Sequence, residues 1–163
     1  MGERKASAIA GRAIGGRAAA VLLAGSVLAA CSGSPELAQP SPTGAVATEC
    51  AAVMAALPGQ LLGQGQVGLE GNLATWGDPA ISVRCGVDKP ASLTQTSHCD
   101  ELNGVGWFTE EPGTAVKKAW RFTTIGRTGY IEVIVPEQYE PAGDALMDLG
   151  AAVKKMAVVS PCQ

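Results

Sequence analysis

The sequence predicts an α+β domain, an antiparallel sheet with an N-terminal and a C-terminal helix on one face, stapled by disulfides. Three observations predict it. Apolar residues recur at helical spacing after Thr48 and again after Pro141. Period-two alternation fills much of the stretch between them, and an even number of cysteines follows Cys31.

Taken in order, Thr48 can cap a helix whose face carries Cys50, Val53, Met54 and Leu57, three and four residues apart. Pro58-Gly59 ends or kinks it. Residues 60–71, rich in Gly and Gln, read at most as an irregular strand. Trp76-Gly77-Asp78-Pro79 reads as a turn, because Pro79 has no N–H and Asp78 can bond nearby backbone. Ile81, Val83 and Cys85 then alternate with Ser82 and Arg84 as in a half-buried strand. Residues 86–98 form a polar excursion, Asn103-Gly104 is a tight-turn signal, and Val105, Trp107 and Phe108 suggest a strand. Trp120, Phe122 and Thr124 lead through Gly126-Arg127-Thr128-Gly129 into Ile131, Val133 and Val135, a hairpin that Pro136 terminates. Pro141 suits a first helical position, and Leu146, Leu149, Val153 and Met156 form the stripe of the second helix.

The first 48 residues read differently. Arg4, Lys5, Arg12 and Arg17 precede the apolar run Ala18–Cys31, which is shorter than the roughly 20 residues that span a bilayer. Residues 1–30 therefore read as a lipoprotein signal peptide ending in a lipobox, with Cys31 receiving the lipid. Residues 31–48, rich in Pro, Ser and Gly, read as a spacer, and 49–163 as one globular domain. Four of the 12 cationic residues and one of the 15 acidic ones precede Cys31, so the remainder carries 8 cations against 14 acids, a net charge of −6. That balance excludes a nucleic-acid partner, whose phosphates need basic patches. It also leaves acyl chains at Cys31, rather than charge, to hold the protein on the outer face of the cytoplasmic membrane.

Cys50, Cys85, Cys99 and Cys162 admit three connectivities. If the two helices run antiparallel, the start of the first lies beside the end of the second. The expected bonds are then Cys50–Cys162 and Cys85–Cys99. No C-x-x-C exists, and the spacing fits no zinc ligand set, so neither a metal nor a cofactor is expected.

The motifs of catalysis are weak. The single histidine, His98, stands in a polar stretch, and no G-x-S-x-G elbow exists. Glu110 and Glu111 are adjacent, so on a strand they point to opposite faces and cannot flank one bond. Trp76, Trp107 and Trp120 with Tyr130 would serve either as core or as the lining of a groove for a glycan or acyl chain. Arg84, on the polar side of its strand, and Arg127, in a turn expected to be exposed, could grip a carboxylate or phosphate. Arg84, Arg127 and Trp107 are the candidate ligand or partner contacts. The favoured function is a non-catalytic binding or accessory module acting on another envelope protein. The alternative is a small-ligand carrier or enzyme with an aromatic-lined pocket.

Trp76-Gly-Asp-Pro-Ala-Ile, Arg84-Cys85-Gly86, Cys99, Asn103-Gly104-Val105 and Trp107 resemble the signature of an actinobacterial family of exported proteins, the domain of unknown function 3515. Leu57-Pro58 and Gly126-Arg127 also fit that signature. The resemblance implies a single cell-envelope domain of a high-GC Gram-positive bacterium and brings no activity, cofactor or substrate.

Overall fold

The computed structural model describes residues 37–162. The leader and Cys31 lie outside the described residues. Helix α1 (Gly44–Ala55) is followed by β1 (Gln60–Leu61), β2 (Gln64–Glu70), β3 (Leu73–Trp76), β4 (Ile81–Val87), β5 (Asp100–Leu102), β6 (Val105–Glu110), β7 (Ala119–Ile125), β8 (Tyr130–Pro136) and helix α2 (Asp144–Val153). The strands form one antiparallel sheet in the order β1-β2-β3-β4-β8-β7-β6-β5. Two four-stranded meanders thus meet where β4 pairs with β8. The α+β expectation holds in outline, with an antiparallel sheet, two helices and two disulfides, the sheet being the larger part.

The register explains how the alternating residues find their places. Val83 lies opposite Val133 and Cys85 opposite Ile131, while Arg84 lies opposite Glu132 and Ser82 opposite Ile134. Directly opposed residues share a face. One parity therefore builds the core, where Ile81, Val83, Cys85, Ile131, Val133 and Val135 meet Cys50, Val53 and Met54 of α1 and Leu146, Leu149 and Val153 of α2. The other parity carries the charges.

Several elements depart from expectation. Helix α1 starts at Gly44 with Thr43 as its cap residue, so its first turn falls inside the expected spacer. Alanines favour propagation there, and the helix extends back to the end of the proline-bearing stretch. Residues 60–71 hold β1 and β2, with a bulge between Gln66 and Gly68. Leu73–Trp76 is strand rather than the approach to a turn, burying Ala74 and Trp76. Pro141 precedes α2, whose first turn carries Asp144.

The disulfides are Cys50–Cys85 and Cys99–Cys162, in place of the expected Cys50–Cys162 and Cys85–Cys99. Two packing facts account for this. The buried face of α1 lies against β4, which sets Cys50 over Cys85 in one core cluster. The chain after α2 returns beside the turn from β7 to β8, where Thr128 N donates to Ala157 O at 3.0 Å and Val159 N to Gly126 O at 2.8 Å. That return brings Cys162 to Cys99. Gly106 leaves the room: a Cβ there would stand 2.9 Å from the Cys99 sulfur and 3.2 Å from that of Cys162. In the chain-entropy picture each bond contributes about 4 kcal/mol.

Candidate functional site

The non-core parity of β4, β8, β7 and β6 brings together Arg84, Glu132, Arg121 and Glu110. Arg84 Nε donates to Glu132 Oε1 at 2.8 Å, and its Nη2 stands 2.7 Å from the same oxygen. The second Glu132 oxygen faces Arg121 Nη1 at 3.9 Å. Arg121 in turn donates from Nε to Glu110 Oε2 at 2.5 Å, and its Nη2 stands 2.5 Å from the same oxygen. Ser92 Oγ, on the polar excursion, closes the row by donating to Glu110 Oε1 at 2.6 Å. Glu132 and Glu110 are 5% and 8% exposed, depths at which a carboxylate needs a partner.

The pair at the Glu110 end of the row reinforces its own charges. Burial pushes the Glu110 carboxyl up, but hydrogen bonds from Arg121 and Ser92 and the guanidinium charge outweigh it and hold the group below its ordinary range. Arg121 is raised by its bond to Glu110, which exceeds the opposing effect of burial. Arg84, Glu132 and Arg121 of this row line an open groove of about 520 Å³, together with residues 38–41 and with Val87, Asp88 and Pro90. Residues 38–41, expected to be part of a spacer, therefore contribute to the lining of the site.

The other candidate residues do not converge there. Trp107 is fully buried in the core. Arg127 sits in the expected turn yet is only 8% exposed. Its Nη1 donates to Met156 O at 2.5 Å and its Nη2 to Gly104 O at 3.3 Å, so it clamps the C-terminal return. Desolvation lowers its pKa. The aromatic groove does not assemble either. Trp76 is core, its indole donating to Pro58 O at 3.0 Å. Trp120 stacks parallel on Phe122 with centroids 6.2 Å apart and, with Pro141 and Ala142, lines a separate cleft of about 320 Å³. Tyr130 borders yet another hollow.

Of this row the sequence singles out Arg84 as a contact and weighs Glu110 only beside Glu111 as an acid pair, while Glu132 and Arg121 go unmarked. The row's signal was the placement of Glu132 and Arg121 at polar positions of two adjacent alternating strands, together with Glu110 at the end of a third. His98 is on the surface, 3.0 Å from Asp100. Among the described residues no cluster of His, Cys, Asp and Glu suits a metal ion, and no helix is long and apolar enough to cross a membrane.

No curated protein and no solved structure matches the chain. The family model described as Protein of unknown function (DUF3515) matches residues 17–161, and the chain belongs to that family.

Proposed function

We propose that this protein is a lipid-anchored module of the cell envelope, held by acylated Cys31 on the outer face of the cytoplasmic membrane, that binds another envelope protein without catalysing a reaction. In this reading both helices cover the apolar face of the sheet, and the polar face does the binding. The observation that carries it is the paired row whose Arg84, Glu132 and Arg121 line the open groove. Arg84, Glu132, Arg121 and Glu110 already satisfy one another, so they present a fixed polar surface instead of a free acid, base or nucleophile. A second reading, an exported carrier of a glycan or acyl chain, draws its support from the Trp120–Phe122 cleft.

In-cell cross-linking from a photoreactive residue placed at Asp88, on the groove rim, tests the first reading. A discrete envelope protein is expected in the cross-link, lost when Cys31→Ala releases the chain to the medium. Recovery of glycan or lipid alone, or of no adduct, overturns it, and a Cys31→Ala chain that stays on the membrane overturns the anchor.

A further inference from the structure

The tripeptide Arg84-Cys85-Gly86 makes three contacts with the N-terminal part of the domain. Arg84 Nη1 donates to the Ala38 carbonyl at 3.0 Å. Cys85 is bonded to Cys50 of α1. Gly86, at φ +83°, leaves the space that the Pro42 ring fills, for a Cβ there would stand 2.6 Å from two ring carbons. At the turn from β2 to β3, Asn72 Nδ2 donates to the Pro40 carbonyl at 3.2 Å, and Gly71 makes room for the Gln39 side chain.

The matching is between a backbone and a track. Pro40 and Pro42 have no N–H, so at these two positions the stretch offers only a carbonyl and a ring. The sheet meets it with side-chain donors and bare glycines. Both donors read groups that any extended proline-bearing segment presents, which is how grooves select such peptides. The resident segment is lightly held, since Ala38, Gln39 and Ser41 are exposed and the two bonds involve only main-chain acceptors.

We propose that the track formed by Asn72, Arg84 and Gly86 is a docking site for an extended, proline-bearing peptide segment of another envelope protein, and that residues 37–42 occupy it until such a segment displaces them. This rests on the binding role proposed above and names the chemistry of the partner. Displacement leaves the charged row in place, because Arg84 remains bonded to Glu132. It also releases six residues, about 19 Å of added reach at the rise of an extended proline-rich chain.

The test uses the soluble full chain carrying Cys31→Ser and a fluorescein-labelled peptide, Leu-Ala-Gln-Pro-Ser-Pro-Thr, followed by anisotropy. Pro42→Glu removes the ring from Gly86 and leaves the track intact, and the NMR resonance of the Asn72 side-chain amide, which donates to the Pro40 carbonyl, reports release of the resident segment. Pro40→Gly serves as a second opened form should the first fold poorly. The peptide is expected to bind an opened form at least about tenfold tighter than the parent, which carries its competitor in cis. Asn72→Ala in the opened form is expected to lose about tenfold by removing one donor. Equal binding to parent and opened chain, or no binding to a chain whose Asn72 side-chain resonance shows release, overturns the docking site. A partner cross-linked from Asp88 that persists undiminished with Asn72→Ala also overturns it and leaves the binding role standing. Peptide binding in vitro with no cross-linked partner in cells does the reverse.

Discussion

The two faces of β4, β8 and β7 are almost equally buried and are stabilised in opposite ways. On one, Val83, Cys85, Ile131 and Val133 are fully buried, and on the other Ser82 and Glu132 are 1% and 5% exposed, Glu132 held by Arg84 while the Ser82 hydroxyl has no hydrogen-bond partner. The apolar face needs only shape and area. The polar face needs partners, since a buried carboxylate without one is costly. Depth therefore does not distinguish the faces; the pairing of the charged groups does. Substitutions should separate them by kind as well as by size.

The largest expected effect is on the apolar face. Trp107→Ala should lower stability by about 3–5 kcal/mol, read from urea unfolding, by emptying the space of a fully buried ring. A loss near zero would mean that this face is not the core. On the polar face Glu132→Gln should cost about 3 kcal/mol, because Arg84 loses its carboxylate partner and Arg121 a neighbouring charge. The double variant Arg84→Met/Glu132→Leu should return to within about 1 kcal/mol of the parent, since removing both members leaves no orphaned charge and Arg121 keeps Glu110. A double variant as unstable as the single one would show that the row acts through shape.

Acid should act on the polar face alone. Because the Glu110 carboxyl is held below its ordinary range, its contribution is complete above the unfolded value of about 4.3 and is lost as pH falls from there through the folded value. Stability measured against pH should fall below about pH 4, and Glu110→Gln should flatten that fall. The smallest effect is expected at His98, whose exposed ring pairs with Asp100 outside both faces. His98→Ala should leave the unfolding midpoint unchanged.

The same contrast explains what could be read in advance. Ile81, Val83 and Cys85, the hairpin from Trp120 to Val135 and the stripe of α2 announce themselves because each follows one period with bulky side chains. β1 and β2 do not, for glycine and glutamine carry no such pattern and the bulge breaks what alternation there is. Arg127 was misplaced because a turn is normally exposed, and only the returning C-terminal stretch, invisible to local patterns, buries it. Residues 37–42 read as spacer by composition, yet their prolines and carbonyls are what the sheet holds. The disulfide pairing failed because it rested on a contact between helix ends, whereas α1 is fastened to β4 and the returning tail to the start of β5.

Those two bonds also decide how the domain responds to tension. A force pulling residue 50 away from residue 162 passes from Cys50 straight into Cys85 and from Cys99 straight into Cys162, bypassing the loops of 35 and 63 residues that they close. Only the stretch between Cys85 and Cys99 carries the load. At full extension, about 3.5 Å per residue, that path yields roughly 50 Å, against nearly 400 Å for the reduced chain. All of β1–β3, β5–β8 and α2 is out of the line of force, and the polar excursion behaves as a short elastic element between two covalently closed blocks. Single-molecule stretching with and without reductant would read the difference directly as contour length.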